Sequence, residues 1–154
     1  MGRNGSPNQK HVLKIGVIPF RAKHLAEIEP RVTGEMITLG QLAECSGSAY
    51  TAVLCGDPIG AAGIAVVRPG MGEAWSLFSP LIKRFPLALH KAASRLIPEV
   101  TKRHNLRRVC AMVDEGDAVA VRWIERLGFE REGLMRSYGD NGEDVFLYAK
   151  VVKL

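Results

Sequence analysis

The chain has 154 residues, a formal net charge of +5, 47% hydrophobic residues and 24% charged residues. That composition fits one soluble globular domain with enough chain to bury a core. It shows no apolar run near the roughly 20 residues that span a bilayer, and no secretory leader is expected at its polar start. The surplus of positive charge points to an anionic partner, either a nucleotide-like cofactor or a nucleic acid.

Residues 1–11 read as a flexible polar arm and 12–154 as a single domain. Met1-Gly2-Arg3-Asn4-Gly5-Ser6 also fits the loose myristoylation pattern, but the pattern is short and the polar arm is the simpler reading. Val12 to Phe20 is a strand with Pro19 near its end. Arg21 to Glu29 has apolar residues at helical spacing, and Pro30 stops it. Thr33 caps a second helix whose apolar side is Met36, Ile37, Leu39, Gly40, Leu42 and Ala43, ending at Ser46-Gly47-Ser48.

Three strands with short turns come next: Ala49 to Cys55, Ile59 to Val67 and Glu73 to Phe78. They form an antiparallel meander. Gly60 and Gly63 predict tight packing or a bulge in the middle strand. The glycines at 56, 60 and 63 precede a strand rather than open a helix, so they make no nucleotide fingerprint. A basic loop, Lys83-Arg84-Phe85-Pro86, then leads to an amphipathic helix from Leu87 to about His104, which Pro98 is expected to kink or restart. Arg108 to Val113 is a strand. Asp117 caps a helix whose stripe is Ala120, Trp123, Ile124 and Leu127, closed by Gly128. Glu130 to Tyr138 and Glu143 to Val152 are closing strands around the hairpin signal Gly139-Asp140-Asn141-Gly142.

The strand–helix–strand unit around Leu87 to His104 makes its two strands parallel. It also sets a cationic loop at a helix start, where backbone N–H groups and the dipole hold an anion. Cys45, Cys55 and Cys110 are odd in number, with no CxxC and no histidine pair at ligand spacing, so no zinc site is expected. Cys110 reads as a buried small hydrophobe. A reducing cytoplasm suits all three. His24, His90 and His104 lie in helical patterns without an acid or nucleophile beside them and read as surface residues.

The element order, the run Asp117-Ala118-Val119-Ala120-Val121-Arg122-Trp123-Ile124-Glu125-Arg126-Leu127-Gly128-Phe129 and the ending Tyr138 to Lys150 resemble the GCN5-related N-acetyltransferase (GNAT) superfamily over residues 12–152. The Arg-Trp-Ile and Ala-Trp-Ser-Leu-Phe segments are most similar to small bacteriophage-encoded members. The resemblance implies an α/β (α+β) fold: a mixed, mostly antiparallel sheet of six to seven strands, with about four helices on both faces and a parallel splayed pair in the middle. It implies acetyl-coenzyme A as cofactor, held by the backbone of Leu77, Phe78 and Ser79. Lys83-Arg84-Phe85-Pro86-Leu87-Ala88 stands in the family's pyrophosphate loop, with Pro86 in place of its first glycine. Lys83, Arg84, Leu87, Ala88 and Asp117 complete the expected cofactor site. Proline there loses both a donor and conformational freedom, which Lys83, Arg84 and Lys91 offset with charge.

The family's tyrosine on the last helix falls at Ile124, and Tyr138 is the candidate stand-in. Glu73 and Glu35 are the candidate bases, each also readable as an ordinary charge at a turn or a helix start. The resemblance implies N-acetyl transfer to a primary amine by direct attack, in the cytoplasm of a bacterium or a phage-infected host cell, with a homodimer as one possible assembly and no membrane contact. Pro86 and Ile124 keep open an alternative: a weak or inactive member of the fold that binds a protein partner or serves as a virion or host-interaction component. A nucleic-acid reading rests on Lys91, Arg95, Lys102, Arg103, Arg107 and Arg108, and no stacking platform accompanies them.

Overall fold

The computed structural model describes residues 14–29 and 31–152. The N-terminal arm with its myristoylation-like segment, the strand start at Val12 and the helix stop at Pro30 lie outside the described residues. The chain runs β1 (Ile15–Pro19), α1 (His24–Ile28), α2 (Gly34–Ser46), β2 (Ala49–Leu54), β3 (Asp57–Arg68), β4 (Met71–Phe78), α3 (Pro86–Arg103), β5 (Arg108–Asp114), α4 (Ala118–Arg126), β6 (Glu130–Met135) and β7 (Val145–Val151).

Local chemistry sets most of these boundaries. The Thr33 hydroxyl accepts from the Met36 N–H, capping α2, and Gly47 closes it in the left-handed conformation at φ 64°. Asp117 caps α4 by accepting from the N–H groups of Val119 and Ala120. Pro86 occupies the first turn of α3, where its missing N–H costs nothing. Pro98 does not end α3. The helix continues through it, and Pro98 is exposed, so the carbonyl it deprives of a donor can be hydrated. Lys83 and Arg84 lie in a 3₁₀ turn, Pro80–Arg84, rather than in an open loop. β6 stops at Met135, so Tyr138 lies in the β6–β7 connection and not on a strand.

The seven strands form one sheet in the order β1-β2-β3-β4-β5-β7-β6. Only β4 and β5 pair in parallel, because α3 carries the chain back along the sheet. Cross-strand register divides the sheet into two faces. Ala49, Ala61, Ala65 and Trp75 pack with Leu25, Ile28 and Ala43 of α1 and α2. Ile64, Val109, Ala111 and Tyr148 pack with Ile97 and Val100 of α3, with Ile124 of α4 and with Leu127 just past its end. Full burial of side chains such as Val100, Leu106 and Val109 contributes roughly 1.5–3 kcal/mol each.

His24 is not a surface residue. It is 6% exposed, accepts from the Arg21 N–H and lies 2.9 Å from the hydroxyl of fully buried Thr51. The one-turn α1 folds its polar side onto β2, and Thr51 supplies the partner that a buried imidazole needs. His104 is also partly buried.

Candidate active site

β4 and β5 stay paired for four residues, from Met71 opposite Arg108 to Ala74 opposite Ala111. Beyond Ala74 they part. β4 remains bonded to β3 as far as Phe78, and β5 remains bonded to β7 as far as Asp114. The split is therefore a wedge between two strands that are each held from behind. The Ser79 N–H donates to the Ile59 carbonyl. In an antiparallel ladder such bonds recur every second residue, so Leu77 and Trp75 also turn their backbone groups toward β3. The N–H and C=O groups of Ser76 and Phe78 face the wedge. Of Leu77, Phe78 and Ser79, only Phe78 turns its backbone to the opening; Ser76 is the second such residue, which the sequence reading did not assign.

A cavity of about 800 Å³ runs through this wedge, within the range of small-molecule sites. Glu35, Met36, Leu39, Glu73 and Trp75 line it on the α1/α2 face; Phe78, Leu96, Trp123 and Ile124 line it on the α3/α4 face. Tyr138 and Asp140 reach it from the β6–β7 connection. The rings of Phe78 and Trp123 meet edge-to-face at 5.9 Å, spanning β4 to α4. Ile124 is buried against the cavity and offers no proton.

Four expected residues thus share one cavity: Phe78 from the cofactor site, and Glu35, Glu73 and Tyr138 from the catalytic candidates. β4 begins at Met71 rather than at Glu73, so Glu73 lies inside the strand and not at a turn. Burial, and then the charge of Glu35, push its carboxyl above the ordinary glutamate range. Thr33 brings Glu35 there by starting α2 one residue ahead of Gly34. Tyr138 is half exposed.

Lys83, Arg84, Leu87 and Ala88 are exposed and lie outside the cavity lining, at the start of α3. Among the described residues neither Lys83 nor Arg84 pairs with a carboxylate. No side chain caps α3, and the first bond back along the helix is from the Leu89 N–H to the Phe85 carbonyl. The N–H groups of Leu87 and Ala88 therefore remain open. Phe85 and Pro86 do not line the cavity. The Ser79 hydroxyl, at the end of β4, is buried without a partner. Asp117 spends its carboxylate on the α4 cap and does not line the cavity.

Trp75 was legible as a strand residue and Trp123 as part of a helix stripe, but neither as a cavity wall. Arg103 and Arg108, two of the residues behind a nucleic-acid reading, are paired with Glu99 and Glu132. Cys110 is buried, Cys45 and Cys55 are exposed, and none of the three lines the cavity. Among the described residues no cluster of His, Cys, Asp or Glu could hold a metal ion, and no helix is long and apolar enough to cross a membrane.

No family model matches the chain, and no curated protein matches it. Solved structures do. YncA, a putative acetyltransferase from Salmonella typhimurium determined with its cofactor acetyl-CoA, superposes with a TM-score of 0.70 at 16% identity, covering 90% of this chain and 94% of its own. Ard1 from Thermoplasma volcanium gives 0.71 at 16% identity over 91% and 99%. The ribosomal-protein-S18-alanine N-acetyltransferase from Escherichia coli gives 0.68 at 18% identity over 92% and 96%. At such identities the likeness is one of architecture, and the seven-stranded sheet, four helices and splayed β4–β5 pair among the described residues match the GNAT fold.

Proposed function

We propose that the protein is an N-acetyltransferase that moves an acetyl group from acetyl-coenzyme A to a primary amine by direct attack. The observation that carries this reading is the wedge, where β4 loses β5 after Ala74 while keeping β3. An unpaired strand edge leaves backbone donors and acceptors that an extended amide-bearing ligand can satisfy. The residues present fit the cofactor. Ser76 and Phe78 would bond its pantetheine arm. Lys83, Arg84 and the open N–H groups of Leu87 and Ala88 would hold its phosphates. The orphaned Ser79 hydroxyl lies next to that path. Asp117 acts at one remove, by fixing the start of α4.

Acetyl-coenzyme A supplies an acetyl thioester whose acyl carbon is open to attack by an amine. Glu73 takes the proton that the amine loses. Its raised pKa brings the carboxylate closer to the working pH range of a general base. Glu35 keeps that pKa up and favours an approaching ammonium group. The apolar walls Met36, Leu39 and Trp75 keep water away from the pair. Tyr138, half exposed in the β6–β7 connection, is the proton partner for product release. No covalent intermediate on the protein is invoked, since no cysteine lines the cavity. The Trp75 and Trp123 segments make phage-encoded members the nearest expected company for this chain, acting in a host cytoplasm.

Ile124 favours a second reading. An apolar residue lining the cavity suits a member of the fold that binds a partner without turnover. Calorimetric titration with acetyl-coenzyme A, followed by an amine panel scored for acetylation, separates the two. Lys83→Ala/Arg84→Ala is expected to weaken binding about tenfold, from two exposed charge contacts of roughly 0.7 kcal/mol each. Absence of binding heat with the intact protein would sink the transferase reading.

A further inference from the structure

We infer that Ser76 supplies the hydrogen bond to the sulfur of bound coenzyme A that Ile124, on α4, cannot give. The inference rests on the acetyl-transfer reading. A leaving thiolate needs a donor placed where its charge develops. Of the α4 residues lining the cavity, Ala120 and Ile124 have no polar side-chain atom, and Trp123, whose ring packs on Phe78, carries only its indole N–H.

Ser76 occupies a defined position. Ala74 is the last residue of β4 paired to β5. Trp75, next along, packs on the α1/α2 face. Ser76 is then the first residue past the split whose backbone faces the wedge. Its side chain lies on the α3/α4 face, as the alternation with Ala74 and Phe78 requires. It lines the cavity and is partly exposed to it.

Its nearest cross-strand partner is small. Ala62 sits directly across on β3, with Gly60 a diagonal neighbour, and Ala74 precedes it on the same face with Ala111 as its partner on β5. Phe78 follows on the same face, with its ring filling the space beside Gly60, and Ile64 is the other diagonal neighbour, so the room above the hydroxyl is that of the cavity Ser76 lines. Ser46, Ser48 and Ser94 each have a hydrogen-bond partner, whereas the Ser76 hydroxyl has none among the described residues. Ser76 therefore donates through its hydroxyl hydrogen and keeps its proton. It lowers the energy of the thiolate without becoming a base.

The test uses the full chain with coenzyme A itself. The ultraviolet absorbance of the thiolate is followed against pH for the free and the protein-bound molecule, with affinity measured in parallel. Binding to the intact protein is expected to lower the thiol's titration midpoint. Ser76→Ala should return it toward the free value by about one pH unit, the tenfold change that a hydrogen bond to a charged group gives. Ser76→Thr, which keeps the hydroxyl, should retain the lowered midpoint. An unchanged midpoint in Ser76→Ala would overturn the assignment, as would its loss in Trp123→Phe or Tyr138→Phe instead. Failure of the intact protein to bind coenzyme A at all would overturn the transferase reading and this assignment together. Binding without a Ser76 effect removes only the latter.

Discussion

The carboxyl of Glu73 on β4 is held above its ordinary pKa by burial and by the charge of Glu35 in the first turn of α2. This pairing has opposite consequences for stability and for catalysis. A carboxyl whose folded pKa exceeds its unfolded value costs the folded state stability once the pH has risen through both. Below the ordinary value of 4.5 that cost is absent. Glu73→Gln should therefore melt at a higher temperature than the native protein near neutrality and at the same temperature in acid. Acetylation should fall by about 10²–10⁴-fold, the usual worth of a general base. A variant that keeps its activity would remove Glu73 from the mechanism.

Glu35→Gln tests the other half. Without the Glu35 charge, the Glu73 pKa drops toward 4.5, although burial, the larger cause, still holds it up. The acidic limb of kcat/KM against pH should move to lower pH, because the base is then deprotonated earlier. Stability near neutrality should rise slightly, since the like-charge cost is gone. A limb that stays in place would show that the two carboxylates act independently.

Much of the fold could be read from local signals, because capping and turn chemistry are written in adjacent residues. Thr33, Gly47, Asp117 and Gly128 each stand where a helix begins or ends. The wedge was reached differently. Nothing in Ala74 or Trp75 says that pairing stops between them; that follows from what β3 and β7 hold in place across the sheet. Glu35 and Glu73 lie 38 positions apart in the sequence, and only the packing of α2 on the β4 face brings them to one cavity. Ser76 was hidden for the same reason. Its role depends on which way alternate residues point, and that phase is fixed by the bond from Ser79 to Ile59. His24 misled because helical spacing does not reveal a buried hydroxyl on another strand.

Gly63 tests the tight packing that the sequence anticipated. A Cβ added there would lie 2.3 Å from the Ala49 Cβ, 2.7 Å from the Ala49 Cα and 2.8 Å from the Ser48 carbonyl oxygen. Two of those atoms are backbone and cannot rotate away. Gly63→Ala should destabilise by about 1–3 kcal/mol or more, the cost of overpacking a filled core. The chain would have to open the β2–β3 ladder where α2 hands over to β2. Chemical denaturation should show a lower midpoint with little change in slope. A fully stable variant would mean that the start of β2 shifts freely.

Asp117 tests whether the wall carrying Trp123 and Ile124 depends on its cap. The Oδ1 atom accepts from the Val119 and Ala120 N–H groups at 3.2 and 2.9 Å, and α4 is only nine residues long. Asp117→Ala leaves both donors to water and should cost about 0.5–2 kcal/mol. For a chain of this length that lowers the melting temperature by about 2–4 °C per kcal/mol. Asp117→Asn keeps an acceptor oxygen at the same site and loses only the charge facing the helix dipole, worth roughly 0.3–1 kcal/mol. The asparagine variant should therefore retain more stability than the alanine one. Coenzyme A affinity should follow the same order, because fraying of the first turn of α4 loosens the Trp123 ring that meets Phe78 across the wedge. Equal losses in the two variants would mean that the charge, rather than the cap, is what α4 requires.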